Sequence, residues 1–495
     1  MAIREINSEI DPFLIDASNL GGGEADMVCQ PECEEEVQEI LARCSRDRIP
    51  VTVSGAGTGL AGGRVPFGGI VLSMSRMNRI VEIDEERNHA VVEAGVILQT
   101  LQSEVESKGL LYPPDPTERG GQLGGNFSTN ASGARTFKYG PTRDWIAGAH
   151  LVRSSGEMLY LPRGLCRANG YALSLPTENG TLDLDIPRYR MPSTSKHAAG
   201  YYATPDMDGL DLFIGSEGTL AVVTQIGLRL IPKPERLFSG IIFFDNEERM
   251  LDFVEKIRDR SRKSQMDQME RREEKLEARA IEFIDRNALD MIRERYSSIP
   301  ERSNGGAIWF EQETTSETEE SLISQWAELI ETHTSLVNDS WFGLSESDHQ
   351  RMREFRHAVP STAFEYITTH GTRKFGTDMA VPDHRFREMY RFYVDNLADS
   401  GLAHLTWGHI GNSHLHVNIL PANETEVPEA KQLYDRFVTE ALRLGGTVSA
   451  EHGIGKIKRS YLRQMYGDEG IEQMKQVKEK LDPTGILGRG TMYEL

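Results

Sequence analysis

Residues 113–143 read PPDPTERGGQLGGNFSTNASGARTFKYGPTR, and the interpretation of this stretch decides the fold. Gly120-Gly121, Gly124-Gly125 and Ser132-Gly133 lie among Thr, Ser and Asn, with little that could fill a core. Side chains this small let a ligand lie against the backbone, and glycine tolerates positive φ where it does so. A surface loop favours the same residues. A second tract upstream, Val53-Ser54-Gly55-Ala56-Gly57-Thr58-Gly59-Leu60-Ala61-Gly62-Gly63, argues for more than a loop. Successive backbone N–H groups in such turns form concavities suited to a pyrophosphate. Neither tract ends in the Gly-Lys-Ser/Thr of a P-loop, and Gly55-Ala56-Gly57-Thr58-Gly59 lacks the spacing of a Rossmann fingerprint.

With a third piece, Phe213-Ile214-Gly215-Ser216-Glu217-Gly218-Thr219-Leu220, the two tracts resemble the FAD-binding domain of the vanillyl-alcohol oxidase / p-cresol methylhydroxylase (PCMH) superfamily. The branch is that of D-lactate dehydrogenases, glycolate oxidase flavoprotein subunits and D-2-hydroxyglutarate dehydrogenases. The resemblance implies an α+β chain in three parts. They are a two-part PCMH-type FAD-binding domain over 1–235, an open-sheet cap (substrate) domain over 236–420, and a C-terminal segment over 421–495 that completes the active site and returns to the flavin domain. Two prolines in Ile231-Pro232-Lys233-Pro234-Glu235 support the first boundary. By the same match FAD is expected against Ser54, Gly55, Ala56, Gly57, Thr58 and Gly59, then Pro114, Asp115, Gly124, Gly125, Ser128, Asn130, Ser132 and Gly133, and finally Glu217 and Gly218. Some relatives attach the flavin through a histidine in or near the first tract. The first histidine here is His89, so the FAD is expected to be non-covalent. Two departures concern flavin contacts: Ala198 replaces a polar residue, and Gly488-Arg489-Gly490 replaces an Asn-Pro-Gly run.

Composition agrees with a large globular enzyme: 495 residues allow two or three domains, and 38% hydrophobic residues with 46 glycines indicate many turns. No apolar run approaches the roughly 18 residues that span a bilayer, and the N-terminus begins no apolar signal region. A cytoplasmic protein, or one peripheral at the membrane, is expected. The net charge of −21 argues against nucleic acid as a partner and requires local cations for an anionic substrate. Cys44 falls in phase with Val37, Ile40 and Leu41, Cys29 sits in an apolar run, and Cys33 and Cys166 are isolated, so buried or incidental thiols are expected. No Cys-x2-Cys run offers an iron–sulfur module. Electrons would therefore leave to an external acceptor: a quinone, a cytochrome, an electron-transfer flavoprotein or a separate iron–sulfur subunit. A homodimer is compatible with all of this.

Beyond Pro234 the pattern predicts a strand over 240–244 and a helix over 247–279, whose charged part is either a solvated face or a docking surface. Strands follow over 280–284 and 307–311. Ser316 with Glu319 is expected to form a capping box for a helix to about 333. Arg356-His357 should lie on a helix from about Glu346 that Pro360 ends or kinks.

The second constellation lies at 404–457. Alternation over Ser413–Leu420 predicts a strand with His414, His416 and Asn418 on one face. His409 precedes it in a Gly-flanked loop, and Glu451-His452 sits between glycines. Two histidines and one glutamate, with room for a fourth ligand, compose a catalytic Zn²⁺ site. Histidines on a sheet face are also often only hydrogen-bonded. The resemblance implies a divalent metal, Zn or Mn, on His409, His416 and Glu451, with Asn418 contacting substrate and His452 as the base. It also implies that Arg356 holds the substrate carboxylate, and it places Lys374 near a lysine of relatives that act on dicarboxylates. Arg373 reads as surface charge. His414 stands where Asn is common, either orienting a ligand or acting as a fourth ligand that closes the site.

The implied activity is FAD-dependent oxidation of a small D-2-hydroxy acid (D-lactate-like, D-2-hydroxyglutarate or glycolate) to the 2-oxo acid. Two rivals share the fold. An alkyl-dihydroxyacetone-phosphate synthase-type transferase carries a run of adjacent histidines, which here is interrupted. A glycolate-oxidase-type subunit would work only within a complex.

Overall fold

The computed structural model describes residues 4–266 and 275–494. The N-terminal half holds two larger sheets, besides two two-stranded ones. In the first, Arg4–Ile6, Met27–Gln30, Ile70–Ser73 and Val51–Ser54 lie side by side; the first pair is antiparallel and the others parallel. The helix Glu34–Asp47 connects two of these strands and buries Val37, Ile40, Leu41 and Cys44, the stripe its periodicity predicts. All four cysteines are free.

The second sheet is antiparallel and runs Ile80–Asp84, His89–Glu93, Val222–Arg229, Ile146–Val152, Met158–Pro162. The glycine-rich stretch at 113–143 leads into this sheet and contains two short helices, Leu123–Thr129 and Thr136–Tyr139. The C-terminal tail closes on the first sheet: Val51 N–H donates to Ile486 O at 2.8 Å and Gly488 N–H to Val51 O at 2.9 Å. The chain thus returns to its N-terminal half.

The third sheet is antiparallel with seven strands: Trp341–Gly343, Arg236–Phe243, Ala307–Thr314, Ala278–Ile284, His404–Gly408, His416–Ile419 and Phe375–Gly376. Its helices include Glu247–Met266, Glu346–His370, Phe386–Ser400 and Val427–Arg443. Among the described residues no helix is long and apolar enough to cross a membrane.

Three local expectations need correction, and a fourth is narrowed. The helix expected over 247–279 reaches Met266, residues 267–274 lie outside the described residues, and Ala278 already begins a strand. Its charged run is not a purely solvated face, because Arg258, Ser261 and Ser264 are buried and Arg258 Nη2 donates to Ile410 O at 2.6 Å. The capping box does not form: Thr318 is the N-cap of Glu319–Glu331, while Ser316 N–H donates to Glu235. Pro360 sits inside Glu346–His370 without ending it. The proline has no N–H for the carbonyl of Arg356, and just after it the hydroxyls of Ser361 and Thr362 donate to the carbonyls of His357 and Ala358.

Candidate active site

The two glycine-rich tracts face one another. A Cβ added to Gly55 would come within 3.4 Å of Gln122 Oε1, and one on Gly121 within 3.5 Å of Thr58 Oγ1. At Gly59 and Gly125 an added Cβ would meet no protein atom within 4 Å. Gln122 Oε1 and Asn126 Nδ2 are buried without hydrogen-bond partners, as is the hydroxyl of Tyr112. Unpaired buried polar groups are costly, so these atoms fit a cleft built to receive a polar ligand. Gly57 and Gly218 take φ of +82° and +70°, the left-handed backbone that favours glycine.

Other residues expected at the flavin have partners in the protein. Gly124 is small because a Cβ there would lie 2.8 Å from Ala94 Cβ, and one on Gly133 would strike the carbonyl of Asp115. Asp115 is flanked by Arg119 at 3.3 Å and Arg135 at 3.4 Å. Asn130, itself left-handed, donates to His197 O at 3.2 Å and accepts from Arg143 N–H at 2.9 Å. Pro114 O accepts from Gln102 at 3.3 Å, Ser54 Oγ donates to Gly55 O at 3.2 Å, and Ser128 O accepts from Glu217 N–H at 2.8 Å. Glu217 takes the N–H groups of Ile454 and Gly455 at 2.7 and 2.8 Å and so pins the turn after Glu451-His452. Ser132 Oγ donates to Glu451 Oε2 at 3.2 Å, which joins the glycine-rich stretch to the second constellation.

His409, His414, His416 and Glu451 converge: one donor atom of each lies within 4.8 Å of the others. His416 comes from the strand His416–Ile419. His409 caps the 3₁₀ turn Ile410–Asn412, and Ser413 is left-handed. The strand is therefore shorter than its alternation predicts, and His414 precedes it. Glu451 Oε1 is 3.3 Å from His409 Nε2 and 3.1 Å from His416 Nε2. The outer nitrogens are held: His409 Nδ1 lies 2.6 Å from Glu282 Oε1, and His416 Nδ1 lies 3.1 Å from Thr377 O. Outer acceptors of this kind fix the tautomer that turns Nε2 inward. A carboxylate and inward-facing imidazoles are donors that suit a borderline divalent ion.

Three charged residues at this centre were not singled out by sequence reasoning. Lys196, fully buried, places Nζ 2.9 Å from Glu451 Oε2. Burial opposes the charge on Glu451, but Lys196 and His409 outweigh it and hold the carboxyl well below its usual range. Glu282 is buried too, yet Arg356 and His409 bring its pKa down to about 2. Asp378 accepts from the N–H groups of Glu451 and His452 at 3.2 and 3.1 Å, from Ser449 Oγ at 2.6 Å and from Lys458 at 2.6 Å. It shapes the turn that presents both site residues. His452 stacks on His416, with centroids 5.3 Å apart and planes at 10°, and its Nδ1 lies 3.5 Å from Asp378 Oδ2.

Arg356 already has a partner in the protein. Its Nε and Nη2 both donate to Glu282 Oε2, at 3.0 and 2.7 Å, so that edge of the fork is taken and only the Nη1 side is left for a ligand. Asn418 Nδ2 donates to His416 O at 2.9 Å, and its Oδ1 is buried without a partner. Lys374 packs over Phe364 and Trp407, at 4.5 and 5.6 Å. Trp407 in turn touches His416, with centroids 6.2 Å apart. Burial pushes the Lys374 ammonium down to about 8. Arg373 is exposed over Phe375, as surface charge should be.

Residues 25–161 match the FAD binding domain family, and residues 266–492 match the C-terminal domain of FAD linked oxidases. Glycolate oxidase subunit GlcD of Bacillus subtilis is 30% identical over 479 residues, covering 94% of this chain and 89% of that protein. A D-lactate dehydrogenase of Anaerostipes hadrus is 29% identical, covering 96% of this chain and 91% of its own length. Among solved structures, the 4-ethylphenol oxidase of Gulosibacter chungangensis in complex with isoeugenol superposes with a TM-score of 0.69 at 18% identity, covering 99% of this chain and 94% of that one.

Proposed function

The chain belongs to the FAD-linked oxidases, and from that membership and the site geometry we propose that it is a dehydrogenase oxidising a D-2-hydroxy acid to the 2-oxo acid. The observation that carries the reading is the convergence of His409, His416 and Glu451 beside His452, with Ser132 of the glycine-rich stretch hydrogen-bonded to the same carboxylate. FAD between the two tracts would supply a hydride acceptor, and a divalent ion (zinc or manganese) on His409, His416 and Glu451 would supply Lewis acidity towards the substrate hydroxyl. His452 would take the hydroxyl proton at Nε2, since its Nδ1 faces Asp378. Arg356 would pair with the substrate carboxylate through the side of its fork that Glu282 leaves free, and Asn418 would contact the bound acid. Lys196 and Glu282 would hold Glu451 and His409 in place.

The test is anaerobic: D- and L-2-hydroxy acids are screened for bleaching of the flavin band. Bleaching by D-acids is expected, and bleaching by L-acids alone would reject the assigned geometry of Arg356 and His452. Without an added acceptor the bleached flavin should stay reduced. Full turnover with a dye by the chain alone would count against obligatory assembly in a glycolate-oxidase-type complex.

Two further results are expected. Acid denaturation should release all the yellow colour into the supernatant, because residues 51–63 contain neither His nor Cys to tether it. Lys374 separates substrate classes. If it reaches a distal carboxylate, Lys374→Ala should damage turnover of a D-2-hydroxy diacid far more than of D-lactate. Its ammonium is charged below about pH 8 and neutral above. Diacid kcat/KM should therefore fall up to about tenfold per unit as pH rises past 8, while that for D-lactate does not. Equal losses with both acids would assign Lys374 to structure and favour a lactate-like monoacid, the substrate we favour.

A further inference from the structure

His414 is fully buried, yet neither of its ring nitrogens has a hydrogen-bond partner. Leaving both unmade is costly in a core, where nearly all polar groups find partners. The arrangement of the other two histidines indicates what the missing partner is. Each presents one nitrogen to an outer acceptor, Glu282 Oε1 for His409 and Thr377 O for His416, and turns the other towards Glu451. His414 follows the same plan with its nitrogens exchanged. Its Nε2 lies 3.4 Å from Asp378 Oδ1 without a hydrogen bond, and Nδ1 is buried with no partner at hydrogen-bond distance. The ring lies 4.6 Å from that of His416 and 5.4 Å from that of His409, tilted at 70° and 42°, so the three rings converge rather than stack. Lys196 does not fill the gap: its ammonium is held by Glu451 Oε2 at 2.9 Å and makes no hydrogen bond to His414.

We propose that His414 is a fourth protein donor, through Nδ1, to the divalent ion read onto His409, His416 and Glu451. This chain would then hold the ion with three imidazoles and one carboxylate, and the substrate hydroxyl would enter as a fifth donor. The inference rests on the metal reading above and sharpens it. Asp378 becomes the outer carboxylate of His414 as Glu282 is of His409, and it also shapes the turn that carries Glu451.

The test uses the flavin-loaded full chain with zinc as the probe. X-ray absorption at the zinc edge should show three imidazoles and one carboxylate at about 2.0–2.1 Å. His414→Asn should show two imidazoles and bind zinc about tenfold or more weaker in competition with a chromophoric chelator. Flavin content checks that the variant is folded, and the spectrum of the unmodified protein decides even if it is not. Two imidazoles in the unmodified protein, or an unchanged zinc shell and affinity in His414→Asn, would overturn the role of His414 and leave the metal reading intact. A chain that takes up no zinc would overturn both.

Discussion

Arg356→Ala should lower kcat/KM for a 2-hydroxy acid by roughly 10²–10³-fold or somewhat more, and should destabilise the protein as well. The two losses have different origins. Arg356 is mostly buried, and it supplies two of the hydrogen bonds that keep Glu282 ionised against its burial. Removing one partner of such a pair leaves an uncompensated buried charge and costs ~3–5 kcal/mol. Adding Glu282→Gln to Arg356→Ala removes that charge, so the double variant should regain much of the melting temperature. It should not regain turnover, because the side of the guanidinium free of Glu282 is then still missing from the substrate. Recovery of activity in the double variant would show that Arg356 serves only Glu282. Arg373→Ala, on the exposed cation over Phe375, is the control and should change little.

The second large effect is expected from His452→Asn, a loss of about 10²–10⁴-fold in kcat with bound flavin unchanged. Burial is the main influence on this imidazole and, against the opposing charge of Asp378, pushes it down to about 4. A base is active when unprotonated. Activity should therefore be retained down through the pH range where an ordinary histidine protonates, and be lost only as pH approaches about 4. The slow variant should lack that acid limb. A variant within tenfold of the unmodified enzyme, or one with the same pH profile, would remove His452 from the chemistry. Asp378→Asn should act on the same step at one remove. It weakens the hold on the N–H groups of Glu451 and His452, and should lower kcat and metal content together.

The sequence by itself determined whatever depends on neighbours a few residues apart. The helix Glu34–Asp47 follows from the phase of Val37, Ile40, Leu41 and Cys44, and the two glycine-rich tracts from their composition. The resemblance, not local pattern, implied His409, His416 and Glu451 as a donor set, and the structure brings them together. Tertiary structure alone decided which groups meet across distant segments. Phe283 pairs with Gly408 in the third sheet, and this register sets Glu282 beside His409, more than a hundred residues away. Lys196 lies in a segment with no periodic pattern and reaches Glu451 only because the N-terminal half folds against the C-terminal segment. Gly124 and Gly133 are expected flavin contacts by the family match, and only the structure shows that Ala94 and the Asp115 carbonyl also require them to be small. Arg356 kept its helix but not its free fork, and Pro360 stayed within that helix. The physical reason is common to these cases. Backbone periodicity is a local property, whereas the partner of a buried charge is chosen by strand register and packing that no short window of sequence contains.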